Sequence, residues 1–155
     1  MGNSPRCAGA AEAVGSLPRV PLSGQSGHMR VRFDSTRIPE EDQSGWLEDG
    51  HDYDVLEMVV TPPSGHLLET MFRIEANGIP ALFAAQHFSV VDGSLPTNWA
   101  IEMGEAGGLT IGPERWQNWQ GQYSFWEDFF SGVPEIERPA RDAFDAEKAA
   151  PGERA

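Results

Sequence analysis

The side chains best suited to chemistry in this chain are carboxylates and histidines, and one group stands out: Glu48, Asp49, His51, Asp52 and Asp54. Such a set has the oxygen and nitrogen donors for a divalent cation. On an extended strand, however, alternate residues share a face, which brings only Asp52 and Asp54 together and leaves too few ligands without a distant contributor. The spacing does not match a calcium-binding loop either. His66 falls in a turn and His87 opens a strand, but nucleophilic catalysis needs a Ser, Cys or Thr beside an oriented base, and the chain has no Gly-x-Ser-x-Gly elbow. Glu127 and Asp128 could move protons, yet both lie at the start of a predicted helix, where capping and the helix dipole already account for carboxylates. Gly104, Gly107 and Gly108 have no lysine nearby with which to cradle a phosphate. The chain therefore reads as non-enzymatic, with no catalytic residue, no cofactor and no metal.

What these residues must be positioned by is concentrated between Leu95 and Phe130. Four of the five tryptophans, Trp99, Trp116, Trp119 and Trp126, lie there with Tyr123, Phe125, Phe129 and Phe130. Aromatic side chains bury the largest apolar area per residue, so this is where the core is sealed. Trp116, Trp119 and Tyr123 are interleaved with Gln, Asn and Gly, and Trp119 is the one expected to reach the surface and offer a stacking face.

The remaining pattern is mostly short strands. MRVRF places Met29, Val31 and Phe33 on one face, and after a long polar connection in which Trp46 and Leu47 tuck back, HDYDVLEMVV forms a second strand. In it Tyr53, Val55 and one of Leu56 or Met58 face the core. Leu67 to Ile74 follows with Leu68, Phe72 and Ile74 inward, after a turn at Ser64-Gly65. Asn77-Gly78 predicts a tight antiparallel hairpin, and Pro80 makes Ile79 to Phe83 an edge strand. Phe88 to Val91, Trp99 to Met103 and Leu109 to Ile111 complete the set. Ser124-Phe125-Trp126-Glu127 matches a capping box, so a short helix starts there and stops at Gly132. A final helix runs from Glu135 or Arg138 to Ala149, with Pro139 in its first turn. The fold class is α+β: a small antiparallel β-barrel of SH3-like type, then a short β-hairpin and two C-terminal helices.

Residues 1–28 are rich in Gly, Ala, Ser and Pro without hydrophobic periodicity, which predicts disorder; they read as a flexible extension or as the product of a misread start codon. Glu12, Gly15 and Pro18 interrupt any export-signal core, and no apolar run is long enough to span a bilayer. Residues 29–155 are the single globular domain. The lone Cys7 allows no internal disulfide, in keeping with a cytoplasmic location. The chain carries a formal net charge of −13, and because Arg6, Arg19 and Glu12 give the first 28 residues +1, the rest carries −14. Such a field repels nucleic acid and anionic lipid and speeds encounter with a basic partner.

At LPTNW, GLTIGPERW and FWEDFFSGVPE the chain resembles a group of small, mostly uncharacterised bacterial proteins that join a compact barrel to a Phe-Trp-Glu helix and a final amphipathic helix. Some of that group resemble immunity proteins, which neutralise a toxin in the cytosol of its producer. The resemblance carries over no catalytic residue. It implies a non-enzymatic cytosolic binding protein that blocks a basic protein toxin with an acidic face, for which Glu48, Asp49, Asp52, Glu127 and Asp128, with Trp119, are the contact residues expected. The alternatives are a barrel module that binds a small molecule or peptide in an apolar pocket near Trp46, Trp99 and Trp116, and, third, an enzyme of unrecognised class.

Overall fold

The computed structural model describes residues 27–39, 45–61, 69–104 and 107–150. Residues 1–26, the turn at Ser64-Gly65 with His66 and Leu68, and residues 151–155 lie outside this set. The strands are β1 (Arg30–Phe33), β2 (Asp52–Thr61), β3 (Glu69–Ala76), β4 (Ile79–Ala84), β5 (Phe88–Asp92), β6 (Trp99–Met103) and β7 (Leu109–Pro113). The helices are α1 (Glu114–Gln117), α2 (Phe125–Phe129) and α3 (Pro134–Ala149), with 3-10 turns at Ser35–Arg37 and Ala85–His87.

All pairings are antiparallel, in the order β4-β3-β2-β1-β5. The ten-residue β2 is the hub. Along one edge it pairs β3; along the other it pairs β1 through Asp52–Asp54 and β7 through Met58–Val60. The β6–β7 hairpin is thus part of the same sheet. In the β3–β4 hairpin Asn77 and Gly78 take φ of 52° and 77°, the left-handed values that a two-residue turn of this hand requires. Pro80 lies opposite Glu75 on β4, which pairs only β3 among the described strands, so the amide that proline lacks is not missed.

Were the sheet flat, β4 and β5 would stand about 19 Å apart, four strand spacings. Instead the rings of Phe83 and Phe88 lie 6.5 Å apart, and only the turn Ala85–His87 separates the two strands in sequence. The sheet is therefore rolled. It encloses Met29, Val31, Phe33, Val55, Phe72, Ile74 and Phe88, with Leu47, Tyr53, Met58 and Trp99 packed against them. Yet no pairing joins β4 to β5 among the described residues, so the sheet is open where a closed barrel was expected. Its outer strands β5 and β6 expose Val90, Val91, Ile101 and Met103. Leu47 tucks onto the core as expected, whereas Trp46 stays largely exposed.

A second core gathers Trp116, Phe125, Phe129, Ala140 and Phe144 from the three helices. The capping box at Ser124 and Glu127 forms in full, and Gly132, at φ 70°, follows the end of α2. Two features differ from the sequence expectation. The Pro-Glu-Arg-Trp segment makes a one-turn helix, and α3 begins at Pro134, so Pro139 falls inside it, where it removes a backbone donor beyond the first turn. Among the described residues no helix is long and apolar enough to cross a membrane.

Ile74 has no exposed surface and sits at the centre of the rolled sheet. Ile74→Ala should lower unfolding stability by about 3 to 4 kcal/mol in urea titrations with an unchanged m value, as cavity-forming core truncations do. A loss below about 1 kcal/mol would show that this face is not a packed core.

Candidate functional site

The two cores meet at Glu57. A bulge between Val55 and Glu57 changes the alternation of β2, so Val55 and Met58 both pack on the rolled-sheet core while Leu56 packs on the helical one. Glu57 is left facing the helices, only 3 % exposed. Its Oε2 accepts from Arg73 Nε at 3.1 Å, across the strand pair, and from Trp126 Nε1 at 2.9 Å, while Oε1 accepts from Gln117 Nε2 at 3.4 Å. The Arg73 guanidinium also stacks 4.1 Å over the Trp126 ring. Burial pushes the Glu57 carboxyl above its ordinary value, against the pull of Arg73, Trp126 and Gln117; burial likewise lowers Arg73. Alternation alone does not find this site. The visible signal is a lone Glu in VLEMVV and a lone Arg in MFRI, each in the middle of an apolar strand.

Asp128 forms a second closed node. It is 1 % exposed; Oδ2 accepts from Trp119 Nε1 at 2.8 Å and from the Gln122 amide at 2.9 Å, and Oδ1 accepts from the Tyr123 amide at 3.1 Å. The loop before α2 is thereby wrapped around one carboxylate. Gly121 has to be glycine here: a Cβ would fall 1.9 Å from Asp128 Oδ2 and 2.0 Å from Trp119 Nε1.

These facts sort the expected contact residues. Asp128 is inside and its oxygens are occupied, so it is withdrawn from any partner-facing surface. Trp119 is half-buried and tethered to it, rather than freely exposed. Glu127 is exposed but returns the capping bond to Ser124, whose hydroxyl and amide hold its carboxyl below the ordinary value. Glu48 and Asp49 are exposed just before β2, Asp49 accepting from the Ser35 amide at 2.8 Å. Asp52 is held down by its hydrogen bond and ion pair with Arg32. The set therefore splits. Glu48, Asp49 and Asp52 flank the start of β2, whereas Glu127 caps α2, which packs on α3 and reaches the middle of β2 through Trp126.

The fold also forms a cleft of about 680 Å³ between the first half of β2, the approach to β6 and the end of α3. Tyr53, Trp99 and Trp116 give it aromatic walls, and Asp54, Glu147 and Arg115 are among its polar groups. Trp116 has both ring faces covered, by Phe125 at 4.9 Å and Phe144 at 5.6 Å, so it meets the cleft edge-on. Its buried indole N–H has no hydrogen-bond partner among the described residues. Among the described residues no group of three or more His, Cys, Asp or Glu side chains is placed to hold a metal ion. Compared with protein-family models, curated proteins and solved structures, the chain matches none.

Two outcomes test these nodes. In the unfolded chain Glu57 titrates near 4.5; folded, it titrates higher, so within that interval the folded state keeps a proton that the unfolded state has released. The contribution of Glu57 to stability is then greatest below 4.5 and falls as pH rises through its folded pKa. Measured by urea unfolding, the stability of wild type minus that of Glu57→Gln should decline with rising pH over this window; a flat or rising difference contradicts the burial effect. Separately, Gly121→Ala should cost about 2 to 3 kcal/mol, the scale of a broken buried charged hydrogen bond, and should move the Trp119 indole N–H resonance. An unchanged resonance would mean that Asp128 does not hold that loop.

Proposed function

We propose that this is a non-catalytic binding protein whose acidic surface at the start of β2 docks a basic protein, in the manner of a cytosolic immunity protein blocking a toxin. The observation that carries this reading is an imbalance of charge. Among the described residues Arg32, Arg37, Arg73, Arg141 and Lys148 are engaged in ion pairs, which leaves Arg30, Arg115 and Arg138 as the other side-chain cations. Glu48 and Asp49 stand exposed outside those pairs. A carboxylate surplus of this kind steers a cationic partner and sets the salt dependence of its association. The strand order β4-β3-β2-β1-β5 and the 3-10 link from β4 to β5 favour an SH3-like half-open barrel as the scaffold. A second reading, a module that binds a small ligand or peptide, is favoured by the cleft with Trp99 and Trp116 in its walls.

The test is affinity capture with the full chain from cells of its source, run in parallel with a Glu48→Lys/Asp49→Lys variant. A single basic protein retained in equal amount, released by salt, and bound at least about tenfold more weakly by the variant is the expected result. A partner whose affinity ignores both salt and charge reversal would rule out acidic-face docking.

A further inference from the structure

Resting on the reading of the cleft as a binding site, we infer that it takes an organic cation of the guanidinium type carried on an apolar stem, as an arginine side chain is. Its walls hold the two parts such a ligand needs, carboxylates outside ion pairs and an aromatic ring without a ring partner.

Four carboxylates line the cleft, Asp52, Asp54, Glu75 and Glu147, against the cations Arg115 and Lys148. Two of the four are engaged, Asp52 with Arg32 and Glu75 with Lys148. Asp54 and Glu147 are in no ion pair of the described residues. The Asp54 carboxylate is exposed and accepts no hydrogen bond there either, its cross-strand neighbour being Arg30. Glu147 has one oxygen on the Asn98 side-chain amide and the other without a partner among the described residues. Arg115 is the one lining Arg or Lys outside an ion pair, so unpaired carboxylates outnumber such cations two to one. In a chain of net charge −13, a cleft with this surplus concentrates cations.

The aromatic part is Trp99. Trp116, Trp119 and Trp126 each have ring partners, whereas Trp99 has none among the described residues and stands half-buried in the cleft wall. Elsewhere in the molecule the same two parts already hold a guanidinium: Arg73 lies 4.1 Å over the Trp126 ring and donates to the Glu57 carboxylate. No cation of the described residues lies over Trp99. A planar guanidinium stacks on an indole and presents forked N–H donors to carboxylates, a combination that a compact ammonium lacks. The cleft volume of about 680 Å³ is in the range of ligand sites and leaves room for the stem.

The experiment titrates the full ¹⁵N-labelled chain with acetyl-Gly-Arg-Gly-amide and with its citrulline counterpart, which has nearly the same shape and no charge, following the Trp99 indole resonance. The arginine peptide should shift that resonance and bind at least about tenfold more tightly than the citrulline peptide. Asp54→Asn/Glu147→Gln, in which Gln keeps an acceptor for Asn98, should erase the preference; Arg115→Gln, which removes a competing cation, should strengthen it. Agmatine, a free guanidinium, separates the sources: binding as tight as the peptide's assigns the site to a small molecule, weaker binding to arginine within a chain. Equal affinity for the two peptides, or an arginine preference that survives the double variant, overturns the inference and leaves the cleft a binding site. If only a neutral apolar probe, indole, shifts the Trp99 signal, the inference falls and the cleft reading stands; if none of the probes does, both fall. Glu48 and Asp49 do not line the cleft, so the fate of acidic-face docking is read separately.

Discussion

A single buried carboxylate fixes how the two halves of this molecule sit on each other. Removing Glu57 from water costs several kcal/mol, and that cost is offset only while Arg73, Trp126 and Gln117 keep their hydrogens on its two oxygens. The three donors come from β3, α2 and α1. An apolar cap can slide on an apolar sheet with small loss; one that must hold three donors on one carboxylate cannot. The constraint extends to the backbone, since a Cβ on Gly112 would press within 3.2 Å of Glu57 Cγ and 3.1 Å of Gln117 Nε2. The aromatic residues supply the area, and Glu57 selects the arrangement.

The same logic separates two populations of acidic residues. Glu57 and Asp128 are internal organisers, one for the junction of the cores and one for the loop before α2. Asp34, Asp92 and Glu127 cap local turns, each held ionised by neighbouring hydroxyl or amide donors, Asp34 chiefly by the Thr36 hydroxyl and Asp92 by the Ser94 amide. Of the rest, Glu48 is exposed and outside the ion pairs of the described residues, and Asp49 is exposed with one oxygen on the Ser35 amide. A surface charge that the fold does not need is the part of the molecule most available to a partner.

Much of this was legible in the sequence, and the gaps have definite causes. Met29, Val31, Phe33, Phe72 and Ile74 follow strict alternation and are buried as read. The Asn77-Gly78 hairpin and the Ser124–Glu127 capping box depend on a few adjacent residues, so local chemistry suffices. The bulge in β2 is different: it arises from pairing with β3, and one extra residue reverses every face after it, which hid Glu57. Asp128 reads as a dipole-compensating carboxylate because its position in α2 is visible, while the loop that folds back onto it is a tertiary event. Sheet closure also escapes local reading, since it depends on whether strands far apart in the order meet. The cleft joins the first half of β2, the approach to β6 and the end of α3, whose lining residues are at least forty positions apart in pairs, and only the expected nearness of Trp99 and Trp116 foreshadowed it.

The open outer strands have a consequence for how the protein behaves in bulk. Among the described residues β5 and β6 each have one paired neighbour, and they display Val90, Val91, Ile101 and Met103, the last two at 67 % and 75 % exposure. An unpaired edge with aliphatic side chains is a template for strand addition between copies. Repulsion between molecules of net charge −13 opposes that contact at neutral pH, and it weakens as salt screens it or as pH approaches the sequence pI of about 4.5. The carboxylate surplus thus also opposes edge-to-edge association between copies, and opposes it less as salt rises.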